Sequence, residues 1–141
     1  MKLNIEDTIR KPIAEIFDAI VDPSKLQNHF VNSSSGPLLE KKTVRWSFGE
    51  SGEVDVRVTQ LIPNALIEFT WAATGLTTEV QIRLEEISHN LTKIKITEGE
   101  WKLDKDSFAV GNEQTHGWTG FIDGLKAYLL FNINLREGKK L

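Results

Sequence analysis

Five alternating segments between Thr43 and Trp101 constrain the fold of this chain more than any other feature. Apolar and polar residues alternate in each of them with a period of two, which is typical of strands with one buried face. The connecting stretches are short and rich in turn-forming residues, so neighbouring strands are predicted to pair as antiparallel hairpins. The segments are "TVRWSF", "GEVDVRVTQLI", "ALIEFTWAA", "TTEVQIRLEEI" and "LTKIKITEGEW".

The alternation assigns one face of this predicted sheet to the interior and leaves the other, which is mostly charged, in water. By the same phase Trp101 falls on the wet side unless a bulge intervenes. Because an apolar sheet face must be buried against another layer, the chain needs a helix to cover it. The inward residues are Val44, Trp46, Phe48, Val54, Val56, Val58, Ile67, Phe69, Trp71, Val80, Ile82, Leu84, Ile94 and Ile96.

Three shorter elements are predicted before the sheet. Residues 3–10, "LNIEDTIR", alternate as a strand in which Asp7 is the polar exception on the apolar face. Residues 12–21 follow as an amphipathic helix that starts with proline, and Asp22 with Pro23 begins a second short helix that carries Leu26, His29 and Phe30. The stretch "VNSSSGP" is then predicted to be a loop.

The cover for the sheet is predicted in residues 116–135, "HGWTGFIDGLKAYLLFNINL". Apolar residues recur there at helical spacing and form one stripe. Gly120 and Gly124 are unfavourable inside a helix, so they indicate a bend or a close approach by another element. The stripe consists of Trp118, Phe121, Ile122, Leu125, Leu129 and Ile133.

Composition limits the function further. The 141 residues fit one domain, predicted over 1–141, and the net charge of −3 without basic clusters argues against nucleic acid as a partner. The chain has no cysteine, and no apolar run is long enough to span a membrane. The N-terminus lacks the apolar core of a signal peptide, so a cytoplasmic protein is expected. We also expect a monomer.

The order of these elements resembles the helix-grip superfamily of START domains, polyketide cyclases and birch-pollen allergen (SRPBCC). Within it, the chain is similar to the C-terminal domain of the activator of heat-shock protein 90 ATPase. The resemblance is carried by "PIAEIFDAIVDPSKLQNHF", by "VTQLIPNALIEFTW" and by "GW" followed by "LKAYL". It implies an α+β fold in which a curved antiparallel sheet of six or seven strands wraps a long C-terminal helix. His29 departs from the family, because many relatives have tryptophan there.

Large aromatic residues converge between the predicted sheet and helix, and they allow two readings. They fill the core, or they line an apolar cavity that takes a flat ligand. Trp46, Phe69 and Trp71 come from the sheet, and Trp118 and Phe121 from the helix.

Glu98 continues the inward phase of Ile94 and Ile96, which makes it a candidate polar anchor or acid/base group in a cavity. Glu100 has the same phase. Because the strand is near its end at Gly99, we expect both carboxylates to reach water at the cavity mouth.

His29 and His116 are placed near the cavity entrance, and His89 in a solvated turn. No carboxylate stands at a spacing that defines a metal site or catalytic dyad, and no phosphate-binding or nucleophile motif occurs. The sequence therefore predicts no catalytic residue, metal or cofactor. The predicted ligand site consists of Trp46, Phe69, Trp71, Glu98, Trp118, Phe121, Leu125, His29 and Phe30.

The leading hypothesis is a non-enzymatic module that binds a small hydrophobic or aromatic molecule, such as a lipid or a polyketide-like compound. The resemblance implies a second hypothesis, a stress-related co-chaperone domain with a chaperone partner. A third is an enzyme of cyclase or hydrolase type that uses Glu98 or His29 as general base.

Overall fold

The computed structural model describes residues 1–102 and 104–137. Residue 103 and residues 138–141, which belong to the predicted domain 1–141, lie outside the described residues. In chain order the elements are β1 (Leu3–Ile9), α1 (Ile13–Val21), α2 (Pro23–Leu26), β2 (Ser33–Ser34), β3 (Thr43–Ser47), β4 (Glu53–Ile62), β5 (Leu66–Trp71), β6 (Thr78–Ser88), β7 (Leu91–Gly99) and α3 (Lys105–Phe131), with a 3₁₀ turn at Gly49–Ser51.

The seven strands form one antiparallel sheet in the order β1-β7-β6-β5-β4-β3-β2. Strands β3 to β7 are the five alternating segments, and each pairs with its neighbour in sequence. Asn64 adopts the left-handed conformation in the β4–β5 hairpin, which an asparagine tolerates well. The predicted α+β helix-grip fold, with two short helices after the first strand, is confirmed. Strand β2 lies in a stretch that we predicted to be a loop.

The C-terminal helix is longer at its start than predicted. It begins at Lys105 rather than near His116, and the Asp104 side chain caps it by accepting a hydrogen bond from the backbone amide of Ser107 at 2.8 Å. Its first turns carry no continuous apolar stripe, so periodicity alone did not reveal them. The helix ends at Phe131, with Asn132 in the left-handed cap conformation, and Ile133 is 51% exposed beyond it. Trp118 is therefore in the middle of the helix, not at its N-terminal end.

The core lies between the concave sheet and α3, where most of the predicted inward residues are buried. The predicted outward residues are exposed or half-buried. Trp101 contradicts its predicted side: it is only 4% exposed. Strand β7 ends at Gly99, so the alternation no longer applies two residues later, and the Trp101 backbone amide donates to the Met1 carbonyl at 2.9 Å.

Two contacts fix α3 on the rest of the fold. Asp7, the polar exception in β1, accepts a hydrogen bond from Lys126 at 2.6 Å. Gly124 lies so close to the turn after α2 that a Cβ built on it would be 2.8 Å from the His29 carbonyl oxygen. The predicted close approach is thus found at Gly124, whereas the space beside Gly120 is open. Of the helices in the described part of the chain, none is both long and apolar enough to span a membrane.

Candidate functional site

Glu98 is fully buried, and four side-chain donors surround its carboxylate. Oε1 accepts from the indole Nε1 of Trp118 at 2.8 Å and from the Gln114 amide at 3.0 Å. Oε2 accepts from the indole Nε1 of Trp71 at 2.8 Å and from the Thr78 hydroxyl at 2.6 Å. The expectation that this carboxylate reaches water was wrong for Glu98, because α3 covers the end of β7. It was right for Glu100, which is exposed and pairs with the N-terminal ammonium at 2.9 Å.

Local structure brings these donors together. The backbones of Trp71 and Thr78 are paired partners across β5 and β6, and Val80 is paired with Glu98 across β6 and β7. Gln114 and Trp118 are four residues apart on α3, so they lie on the same face of the helix. The sheet thus provides the carboxylate itself and two of the four donors, and the helix provides the other two donors.

The four donors match the four acceptor positions that an ionised carboxylate offers. None of the cationic groups in residues 1–102 and 104–137 forms an ion pair with Glu98. A fully buried carboxylate without a cation is uncommon, because desolvation of a charge is costly and such groups are usually paired. Glu98 is stabilised by neutral donors alone.

The indoles of Trp71 and Trp118 are also in ring contact, with centroids 5.5 Å apart and planes tilted by 31°. Trp46 packs edge-on against both Phe69 and Trp71, and Phe121 packs edge-on against Trp118. Aromatic side chains therefore fill the middle of the layer between sheet and helix.

A pocket of about 200 Å³ remains at one side of this aromatic layer. Its size is below the ~300–1,000 Å³ of ordinary ligand sites, which limits it to a small molecule or to one part of a larger one. Its lining is apolar except for the Gln114 amide. The lining residues are Phe30, Phe48, Trp71, Ala73, Gln114, Gly117 and Trp118.

The predicted site residues divide into three groups around this pocket. Phe30, Trp71 and Trp118 line it, and Glu98 lies directly behind the two indoles. Trp46, Phe69, Phe121 and Leu125 are buried in the core and do not line it. His29 is also away from the pocket.

His29 is 2% exposed and packs against aromatic rings of α3, with centroids 5.6 Å from Tyr128 and 5.8 Å from Phe121. Its Nε2 is 2.7 Å from the Ala19 carbonyl oxygen, to which the neutral ring can donate. Burial lowers the pKa of His29 from 6.5 to about 4, although the hydrogen bond to Ala19 opposes the change. His29 thus holds α1, α2 and α3 together as a neutral core side chain, while His89 and His116 are exposed.

Sequence reasoning missed five residues of the pocket and its support. Three of them had a readable signal, which Ala73, in the turn after β5, did not. Gln114 precedes Trp118 by one helical turn, and Thr78 has the inward phase of Val80. Phe48 was assigned to the inward face but not to the site. Gly117 had no such signal, because it contributes open space rather than a side chain.

The sheet wrapped on α3 and the pocket at their interface define a helix-grip domain. The chain belongs to the family of activator of Hsp90 ATPase homolog 1-like proteins, whose model matches residues 10–130. No curated protein is similar enough in sequence to count as a relative.

Solved structures agree with this assignment. A protein from Staphylococcus saprophyticus is 27% identical, with a TM-score of 0.82 and coverage of 95% of both chains. The Aha1 dimer from Colwellia psychrerythraea is 26% identical, with a TM-score of 0.77 and coverage of 92% of this chain and 96% of that one. DynU16 from the dynemicin biosynthetic locus shares the fold at 20% identity and a TM-score of 0.83, and the match covers 94% of this chain and 48% of DynU16.

Proposed function

We propose that this protein is a binding module for a small hydrophobic molecule, which enters the pocket beside Trp71 and Trp118. The observation that carries the proposal is the pocket itself. Four aromatic rings line it, and two of them are held in place by hydrogen bonds to Glu98. Apolar lining with few polar groups is typical of small-molecule sites, and anchored rings lose little freedom when a ligand binds.

A non-enzymatic role is the simplest one for this arrangement. Glu98 has no acceptor position left for a substrate proton, and neither Glu98 nor His29 lines the pocket. A general base has to be within hydrogen-bond reach of the proton that it removes. Turnover of a bound compound by the wild-type protein that is lost in Glu98→Gln would argue for the enzymatic alternative.

The indole N–H signals of the protein provide a direct test of binding. We expect small flat hydrophobic compounds to shift the indole resonances of Trp71 and Trp118 in a chemical-shift titration. Trp101 is buried but does not line the pocket, so its indole is the internal reference. If a chemically diverse library shifts neither Trp71 nor Trp118, the proposal fails.

A chaperone partner is the second candidate function, and the family assignment favours it. Under this proposal the domain raises the ATPase rate of a heat-shock protein 90. Unchanged ATP turnover at saturating protein would remove this candidate. The related structure from Colwellia psychrerythraea is a dimer. Light scattering, which measures the molar mass in solution, therefore tests whether this protein is a monomer as predicted.

A further inference from the structure

The pocket is next to a buried negative charge that no cation of the described residues balances. We propose that its ligand is a small organic cation with an apolar body, such as a protonated aromatic amine. This inference rests on the proposed binding function and adds the charge of the ligand to it. Three features of the site support it.

The first feature is the missing counter-charge. The Glu98 carboxylate is fully buried, and the indoles that bind its two oxygens are themselves walls of the pocket. Charges attract more strongly in a poorly hydrated interior than in water, so a cation in this pocket interacts favourably with Glu98. A neutral molecule of the same shape gains nothing from the carboxylate, and an anion is repelled.

The second feature is the aromatic lining. Phe30, Phe48, Trp71 and Trp118 surround the pocket, and groups of aromatic rings are common binding sites for alkylammonium ions. The two indoles donate their N–H groups to an anion, which leaves their rings richer in electrons. That polarisation strengthens the attraction between the rings and a cation.

The third feature is the orientation of Gln114. Because Glu98 is an acceptor, the Gln114 amide must present its nitrogen to the carboxylate, as its Nε2 does at 3.0 Å. Its carbonyl oxygen then points elsewhere, and no donor of residues 1–102 and 104–137 occupies it. Gln114 is the polar side chain of the pocket lining, so an ammonium N–H is a suitable partner for this oxygen.

A series of three probes of equal size but different charge tests the inference. Benzylamine is cationic at neutral pH, benzyl alcohol is neutral and benzoate is anionic. Each is titrated into the protein while the indole signals of Trp71 and Trp118 are followed. We expect benzylamine to bind about tenfold more tightly than benzyl alcohol, and benzoate to bind most weakly.

Two isosteric variants then locate the source of the preference. We expect Glu98→Gln to remove the difference between benzylamine and benzyl alcohol. Glu79→Gln changes charge equally but on the exposed face of β6, and we expect it to keep the tenfold difference. The probe series on the unaltered protein needs no variant, so it decides the matter even if Glu98→Gln does not fold.

The outcomes separate this inference from the function on which it rests. If benzyl alcohol binds at the two indoles as tightly as benzylamine, the binding function stands and the cation inference is wrong. The inference is equally overturned if Glu98→Gln retains the preference for benzylamine. If none of the three probes shifts either indole, the cation inference is wrong, whereas the binding function fails only if the diverse library shifts neither indole as well.

Discussion

Trp118 of the C-terminal helix donates its indole N–H to the buried Oε1 of Glu98 at the end of β7, across 2.8 Å. This hydrogen bond joins the two layers of the fold at the pocket wall. Trp71 makes the matching bond from the sheet to the other oxygen. The same carboxylate therefore supports the fold and orients two of the rings that line the proposed site.

Glu98→Gln is expected to lower the free energy of unfolding by about 1–3 kcal/mol. The amide nitrogen of glutamine cannot accept a hydrogen bond, so the two donors that face it lose their acceptor, and one of these is always an indole N–H. Urea denaturation followed by tryptophan fluorescence measures the loss. Glu79→Gln on the exposed face is the control, with an expected change within about 0.5 kcal/mol. Equal stability of the two variants would show that the four hydrogen bonds contribute little.

His29 is expected to make the protein less stable in acid. Its pKa is about 4 in the folded protein and 6.5 ordinarily, so between these values the unfolded state binds more protons. The buried neutral His29 therefore contributes about 3 kcal/mol to the free energy of unfolding above pH 6.5. This contribution is lost progressively as the pH drops towards 4. We expect His29→Gln to lose this part of the pH dependence when the free energy of unfolding is measured across that range. His116→Gln, at an exposed histidine, should keep the wild-type slope, and a parallel slope for His29→Gln would contradict the prediction.

Gly124→Ala is expected to destabilise the protein, whereas Gly120→Ala is expected to stabilise it. A Cβ on Gly124 would meet the His29 carbonyl oxygen at 2.8 Å, so the backbone has to shift. We expect this shift to lower the free energy of unfolding by about 1–3 kcal/mol. The space at Gly120 is open, so alanine there gains about 0.5–1 kcal/mol of helix propensity. Thermal or urea unfolding of the pair measures both signs. If both variants are stabilised, the His29 carbonyl oxygen does not approach Gly124 closely enough to exclude a methyl group.

Gly117→Leu is expected to block the pocket without harming the fold. Gly117 lines the pocket, and an added Cβ there meets no other atom within 4 Å. A leucine side chain then occupies the space of the ligand, and we expect at least a tenfold loss of affinity for the compounds that shift the Trp71 and Trp118 indoles. Gly120→Leu adds the same side chain one turn away, outside the pocket lining, and should bind normally. Equal affinity of the two variants would mean that the ligand binds elsewhere.

The sequence determined the architecture because its signals are local. Strand alternation depends only on the period of the extended backbone, and it placed Phe69, Trp71 and Ile96 on the buried face correctly. The stripe from Trp118 to Leu125 identified the covering helix for the same reason. The start of that helix was missed, since its first turns bury little besides Gly111 and have no apolar stripe.

Only the tertiary structure decided the nature of the site. The phase of β7 turned Glu98 inward, but its complete burial depends on α3, whose Trp118 and Gln114 are 20 and 16 positions away in the chain. Trp101 is buried because the alternation stops with its strand at Gly99 and its backbone amide bonds to the Met1 carbonyl, a contact with the other end of the chain that no local pattern predicts. Whether Trp71 and Trp118 touch or leave a cavity depends on the distance between two layers. That distance is set by the packing of the whole core rather than by any single segment.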